Sequence, residues 1–380
     1  MKFCFICGSL QIGHDGVGDY VRRLASELIN NGHQVVIVAL NDTYLSAIEY
    51  AEQAYEDTVI NVFRLPANMP SGKRYANLNK YVSEFKPDII SLQYVGFAFN
   101  KYGLPIDILR LKKIAQGVKL HIMLHELWCG MAVNAGLKEK VLGKAQQLFL
   151  KLLISVLSPE SIFTSINPYA LYLSRIGVHA DVVPIFGNIP VTELGDQEEW
   201  ADLVEKANLS ALSSAPQNWL IAGFFGTTYN RPGLKELLET TAATAKSAGL
   251  KFGVLAIGHG RGQNVSELLT NIADAAYWQT GPLSPGMINR SMELVDLGVV
   301  TSPVDGIDKS GSAITWMERG IPVLISAQDK TYKKTGMIAL GVYQANSQTD
   351  VLEAYKVKNK LIPKSRIKQV AMAYTVCGLN

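Results

Sequence analysis

The stretch from Cys4 to Ala39 constrains the fold more than any other part of the chain. The apolar run Phe3 to Cys7 leads into a loop holding Gly8, Gly13, Gly16 and Gly18. Val17, Val21, Leu24, Ala25 and Leu28 then recur at helical spacing, with Arg22, Arg23 and Glu27 on the other side. Gly32 and His33 end that helix, and Val35 to Leu40 reads as a second buried strand. The result is a βαβ unit with glycines at its first strand-to-helix turn, where doubly wound sheets bind phosphorylated or nucleotide ligands. It is not a dinucleotide fingerprint. The strand-to-helix connection takes about ten residues and lacks the G-x-G-x-x-G spacing with an acid ~20 residues on.

Length and charge narrow the class. The chain has 380 residues, 48% hydrophobic and 18% charged, enough for two globular domains. A net charge of +3 is too weak to argue for nucleic acid as a partner. Cys4 and Cys7 stand three apart within a strand and so face opposite sides; they read as small buried hydrophobes, not a redox pair. The opening MKFCFICGSL is too short an apolar run for a signal peptide, and no uncharged stretch reaches the ~18 residues of a membrane span.

Strands and helices alternate along the whole chain. Strands are expected at 2–7, 34–40, 58–64, 88–93, 119–124, 161–165 and 180–184, then at 219–225, 252–257, 275–279, 296–301 and 321–325. Helices fit 17–31, 75–85, 105–116, 137–157 and 168–176, then 197–212, 231–247, 263–272, 285–292 and 311–319. Such alternation means parallel sheets covered on both faces. The expected fold is α/β, with two Rossmann-like doubly wound domains facing a central cleft. Residues 1–186 form the first and 187–363 the second, with a basic C-terminal helix within 364–380 packing back on the first. Gly226 follows the second domain's first strand, and Gly258, His259, Gly260, Arg261 and Gly262 follow its next.

Several segments, taken in order, resemble the GT-B glycosyltransferases, and most closely glycosyltransferase family 4. "GVGDYVRRLASELINNGHQVVIV" resembles that family's first loop, helix and second strand, and "KPDIISLQ" and "LHELW" two later strands of its acceptor domain. "IFTSINPYALYLSRIG" and "VVPIFGNIP" resemble the end of that domain. "GFFGTTYNRPGLKELLET", "AIGHGRG", "YWQTGPLSPGMINRSMELVDLGVVTSP" and "GSAITWMERGIPVL" resemble the donor domain. The resemblance implies retaining transfer of a hexose-like unit from a nucleotide sugar to a hydroxyl of a glycan or lipid-linked acceptor. Surface polysaccharide assembly at the cytoplasmic face of a membrane is the implied setting, with the nucleotide sugar as substrate and no cofactor. The first domain would take the acceptor and the second the nucleotide sugar. One departure stands out. The family carries two glutamates eight positions apart around its donor helix, and here Ile307 and Thr315 fall in that register. Asp305, Asp308 and Glu318 lie close enough to substitute. Two other classes therefore stay open: a non-catalytic sugar-nucleotide or glycan-binding protein, and a UDP-sugar epimerase of the same shape.

The candidate site residues follow from position and chemistry. His125 and Glu126 come directly after the strand at 119–124, at the carboxyl edge of the sheet. His125 reads as a catalytic group, which the resemblance places on the transferred sugar, or as a core histidine bonded to a nearby carbonyl. Gly16 and Gly18 offer backbone amides to donor phosphates or acceptor, or form a tight turn. Asp19 caps the helix or, with Glu126, binds the acceptor. Arg231 is the cation expected to meet leaving-group charge at the opening of its helix, beside Lys235. Lys309 with Ser310, Gly311 and Ser312 makes a lysine and free amides at a helix N-terminus, suited to a diphosphate or explained by ordinary capping. Gly226, Gly258, His259, Asp305, Asp308, Thr315 and Glu318 complete the donor-binding set. No Asp-x-Asp or His/Cys ligand set suggests a metal. Residues 138–157 align Lys140, Lys144 and Lys151 on one face of an apolar helix, read as an anionic-membrane contact or as a core helix with a solvated lysine stripe.

Overall fold

The computed structural model describes residues 1–132, 135–187, 189–191, 194–258, 262, 264–325, 341–357 and 364–376, with Asp305 described by its backbone. The chain divides into two compact units. One comprises Met1–Asn188 and Arg366–Asn380, the other Ile189–Ser365.

Among the described residues the first unit holds strands β1 (Lys2–Cys7), β2 (Gln34–Asp42), β3 (Glu49–Tyr55), β4 (Thr58–Pro66), β5 (Ile89–Tyr94), β6 (Lys119–Leu124), β7 (Ser161–Thr164) and β8 (Asp181–Val182). They form one sheet in the order β3-β4-β2-β1-β5-β6-β7-β8. All pairs are parallel except β3 with β4. Central strands buried on both faces explain their unbroken apolar runs. Cys4 and Ile6 face one core layer, with Val36, Ile90 and Ile122. Phe3, Phe5 and Cys7 face the other, with Leu24, Leu28 and Met123. The two cysteines thus point apart, and burial pushes the Cys4 thiol up to about 12.

The hairpin strand β3 is absent from the sequence expectation. Its segment EYAEQAY alternates half-buried and exposed positions at the sheet edge. Its half-buried face is Glu49, Ala51, Gln53 and Tyr55, so the hydrophobic signal is weak, while Glu49 and Glu52 suit an edge that must not pair with another chain. The strand order reverses at β1, which pairs with β2 on one side and β5 on the other. Ligands of open α/β sheets bind at the carboxyl ends of the strands flanking such a switch point. The helix Ile367–Val376 belongs to this unit, with Ile367, Val370, Ala371 and Tyr374 in its core.

The second unit holds β9 (Trp219–Phe225), β10 (Lys251–Ile257), β11 (Ala276–Gln279), β12 (Leu297–Val300), β13 (Val323–Ile325) and β14 (Val342–Gln344). Their order is β11-β10-β9-β12-β13-β14, with parallel pairing and a switch point between β9 and β12. Strand β14, three residues long, and the following helix Gln348–Val357 also lie outside the sequence expectation. Helix Gly311–Glu318 is seated tightly on the switch point. A Cβ at Gly298 would stand 2.5 Å from Trp316 Cγ, and one at Gly223 2.9 Å from its Cη2. Only glycines let the buried indole lie this close to β9 and β12.

Several expected helices differ in extent: that at 75–85 begins at Ser71, and that at 263–272 is Val265–Leu269. That at 231–247 runs Leu234–Ser247, because Gly233 is left-handed at φ 82° and forms its N-cap. The expected 105–116 helix is a 3₁₀ segment, Ile106–Arg110, followed by one short turn, Leu111–Ile114. The 197–212 helix splits into Gln197–Lys206 and Ser210–Ser214 around Asn208, whose φ is 53°.

Candidate active site

In the first unit the loop after β1 is clamped by buried ion pairs. Asp42, at the end of β2, accepts from Ser9 Oγ and Leu10 N, each at 3.1 Å. Arg64 on β4 donates to Asp42 at 2.9 Å, to Glu49 at 2.7 Å and to Gln11 Oε1 at 3.2 Å. Arg22 donates to the Leu10 carbonyl at 2.9 Å and to Gln53 Oε1 at 3.1 Å, and pairs with Asp19. Burial works against the Asp42 carboxylate, but the Arg64 hydrogen bond and the amides of Leu10 and Tyr44 hold it below the usual carboxylate range. The sequence does not announce this clamp, because it draws together residues of the first loop, the first helix and three separate strands.

The same region revises two expectations. Asp15, not Asp19, caps helix Gly16–Asn30, accepting from Gly18 N at 2.6 Å. Asp19 is held by Arg22 and by the Gly13 amide at 3.4 Å. Gly18 is a packing glycine: a Cβ there would lie 2.7 Å from the Ser9 carbonyl, and its amide is already given to Asp15. Gly16 is exposed, with open space where its Cβ would stand.

His125 follows β6 and is buried, its backbone amide donating to the Tyr94 carbonyl at 3.1 Å. Its Nε2 lies 2.9 Å from Gln93 Oε1 on β5. Tyr20 meets the imidazole edge-on at 4.9 Å and stacks on Phe186 at 4.5 Å. A side-chain amide is thus one partner of the imidazole. Glu126 is exposed; burial, reinforced by the Glu126 charge, raises the Tyr169 phenol.

In the second unit the carboxyl ends of β9 and β12 gather several of the predicted residues. Gly226 turns the chain after β9 at φ 82°. Tyr229 N donates to Thr301 Oγ1 at 2.9 Å, and Arg231 Nε to the Thr301 carbonyl at 3.1 Å, so β12 anchors the arginine. Arg231 therefore sits in the loop before the helix rather than opening it. Lys235 lies on the helix surface and pairs with Glu239 at 3.7 Å. Ser302, next to Thr301, donates to Ser310 Oγ at 2.9 Å, and Ser310 and Ser312 hydroxyls are 3.1 Å apart. Ser310 caps helix Gly311–Glu318 through Ala313 N at 3.4 Å. Among the described residues nothing accepts from the amides of Gly311 or Ser312, and no atom lies within 4 Å of a Cβ placed on Gly311. Asp308 and Lys309 end the preceding 3₁₀ turn, Val304–Lys309, both half-buried. Arg231, three hydroxyls and first-turn amides thus share one strand edge at the positive end of a helix, with Lys309 next to its cap along the chain, an arrangement suited to anions.

Thr315 and Glu318 do not join them. Thr315 is fully buried, and its hydroxyl donates to the Gly311 carbonyl at 2.8 Å. Glu318 is 1% exposed, and Ile307 lies in the core. The helix is apolar almost all round, so sequence register alone could not tell its open face from its buried one. Gly258, at φ 98°, donates its amide to Thr280 Oγ1 at 3.1 Å. His259 and the Asp305 side chain lie outside the described residues. Among those residues no group of three or more His, Cys, Asp and Glu is placed to hold a metal ion.

Comparison with known proteins agrees with this architecture. Residues 14–159 match the model of Glycosyltransferase Family 4. No curated protein matches the chain in sequence. The crystal structure of TarM superposes with a TM-score of 0.54 at 10% identity, covering 100% of this chain and 99% of TarM. UDP-GlcNAc 2-epimerase from Neisseria meningitidis, bound to UDP-GlcNAc, gives 0.51 at 12% identity, covering 99% of both chains. The lipopolysaccharide outer core galactosyltransferase WaaB, in its apo form, gives 0.49 at 15% identity over 98% of this chain and 95% of its own. The chain has the GT-B fold, in two parallel-sheet units, and matches Glycosyltransferase Family 4 through residues 14–159 of its first unit.

Proposed function

We propose that this protein is a glycosyltransferase that moves a hexose-like sugar, with retention, from a nucleotide sugar to a hydroxyl of a glycan or lipid-linked acceptor in surface polysaccharide synthesis. One observation carries the reading: Arg231, Ser302, Ser310, Ser312 and the first-turn amides of helix Gly311–Glu318 gather at the β9/β12 switch point, with Lys309 directly before the cap residue. A departing nucleoside diphosphate develops negative charge, and fixed cations and amide dipoles stabilise it. With Arg231 and Lys309 supplying positive charge, the proposed reaction needs no divalent ion. The first unit takes the acceptor, with His125, Asp19 and Glu126 on its binding edge.

The acceptor side is proposed to rest against an anionic membrane at its cytoplasmic face. Helix Leu137–Leu157 buries Phe149, Leu150, Leu153 and Leu157 but leaves Leu137, Val141 and Leu148 at 63–78% exposure. These apolar side chains share an arc of about 60° with Leu152, flanked by the exposed Lys140, Lys144 and Lys151. Apolar insertion beside a lysine row is the pattern of a helix lying in a headgroup layer. Among the described residues no helix is long and apolar enough to cross a membrane.

The test is a thermal-shift screen of the purified protein against UDP-, GDP-, ADP- and dTDP-sugars, followed by product analysis with the best donor. Stabilisation by one nucleotide, with its release on transfer to an acceptor glycan, is expected. Stabilisation by none would overturn the reading. Sugar inversion without nucleotide release would replace it with an epimerase, a class that shares this fold.

A further inference from the structure

At the amino edge of the first sheet, the edge away from His125, lies an open cavity of about 750 Å³. Lys119 opens β6 and His125 follows its end, so the strand's length puts roughly 20 Å between them. The walls come from the 3₁₀ segment Ile106–Arg110, the turn Leu111–Ile114 and the end of helix Leu137–Leu157. Half-buried Leu109, Ala115 and Val118 give the lining apolar surface, and Arg110, Lys112, Lys113 and Lys119 give it positive charge. Its volume falls in the range of small-molecule sites, roughly 300–1,000 Å³.

The charge is not cancelled from within. Glu160 is the one carboxylate of the lining, and it pairs with Lys119 at 3.3 Å. Two neighbouring carboxylates are engaged elsewhere: Asp107 with Arg74 at 3.5 Å, and Asp88 with the Lys2 amide at 2.7 Å. Arg110, Lys112 and Lys113 are exposed, and among the described residues no ion pair includes them. Three like charges at 110–113 repel one another, and a divalent anion bound among them removes that repulsion. The apolar lining gives nothing to a bare anion but takes up an attached hydrocarbon. We propose that this cavity binds the phosphate headgroup of an anionic lipid, its cations on the phosphate and Leu109, Ala115 and Val118 against the start of the acyl chains. The exposed Leu148 and Leu152 lie within about three turns of Leu157 on the same helix, so a headgroup in a bilayer is within reach. Placing the lipid in a bilayer rests on the membrane reading above; the chemistry of the cavity does not.

Calorimetric titration of the full chain with dihexanoyl phosphatidic acid, kept below its micelle concentration, tests the cavity without a membrane. Saturable binding is expected, ~10-fold tighter than that of inorganic phosphate, the gain from burying about two methylenes. Arg110→Gln, Lys112→Gln and Lys113→Gln combined, all exposed positions, should weaken it by ~100-fold. The Lys140→Glu, Lys144→Glu, Lys151→Glu variant should bind the soluble lipid like the parent. No saturable binding, or binding unchanged in the glutamine variant, would overturn the site. Equal affinity for inorganic phosphate would overturn the lipid as its ligand. If the parent sediments with anionic vesicles but binds no soluble lipid, the cavity falls and the membrane reading stands. Soluble-lipid binding without sedimentation supports the cavity and sinks that reading.

Discussion

Gly298→Ala tests both the packing of the second unit and the placement of its anion site. The added Cβ would lie 2.5, 2.6 and 2.7 Å from Trp316 Cγ, Cδ1 and Cδ2. Ordinary carbon contacts sit at ~3.5–4.0 Å, so the indole must retreat by about 1 Å. Trp316 is fully buried and also rests on Gly223, leaving it little room. Overpacking of this kind costs about 1–3 kcal/mol. For a unit of this size that lowers the melting temperature by roughly 2–4 °C per kcal/mol. Because Trp316 belongs to helix Gly311–Glu318, the helix moves with it, and nucleotide binding should weaken as well. Gly311→Ala is the matched control. Its Cβ meets no atom within 4 Å, and an alanine at the first helical position stabilises by about 0.4–1 kcal/mol through the unfolded state. The new methyl nevertheless stands beside the amides proposed to hold phosphate. Stability and affinity should therefore fall together at 298 and part company at 311, measured by thermal unfolding and calorimetric titration. A Gly298→Ala protein that melts like the parent would refute the seating of Trp316. A Gly311→Ala protein that binds nucleotide unchanged would remove the anion from that helix end.

Arg231→Ala and Lys309→Ala should each weaken nucleoside-diphosphate binding by roughly 10- to 200-fold in the same titration, the value of a charge-assisted bond of about 1.5–3 kcal/mol. Thr315→Ala should leave affinity unchanged and cost only about 1 kcal/mol of stability, because its hydroxyl bonds the Gly311 carbonyl. Among the described residues neither ring nitrogen of the buried His121 has a partner, and burial lowers its pKa to about 4. The unfolded chain takes up that proton first, so stability should fall by ~3 kcal/mol as pH drops from about 6.5 toward 4. His121→Phe should flatten this slope in denaturant titrations at several pH values; an unchanged slope assigns the acid sensitivity elsewhere. Replacing Lys140, Lys144 and Lys151 with glutamate should abolish sedimentation with anionic vesicles at low salt, whereas binding that persists in the triple variant would detach that helix from the membrane reading.

Local signals made much of the fold legible. The glycine loop after Cys7, the amphipathic helix behind it and the apolar strands named the parallel sheets, because burial on both faces leaves a pattern any window can detect. Strand β3 escaped because its half-buried face mixes Glu49 and Gln53 with Ala51 and Tyr55, which leaves little hydrophobic contrast. Placement of the candidate residues was legible where it follows position along the chain, as with His125 after β6 and the serines opening helix Gly311–Glu318. It was illegible where chemistry depends on a partner far away. Nothing near Ser9 announces Asp42 or Arg64. The burial of Thr315 and Glu318 was hidden for a different reason: register places a residue along a helix, while its neighbours decide which side meets solvent.

The membership of helix Ile367–Val376 in the first unit has a consequence for biosynthesis. Residues Ile189–Ser365 are contiguous, whereas the first unit is assembled from two separated pieces of chain. During translation the later-made second unit can complete its core before the earlier-made first one. The first unit must wait, with the sites of Ile367, Val370, Ala371 and Tyr374 unfilled, until those residues leave the ribosome. A nascent chain that has emerged from the ribosome only as far as residue 365 would then carry a finished second unit tethered to a first unit with an unfilled apolar site, a form that chaperones and proteases recognise.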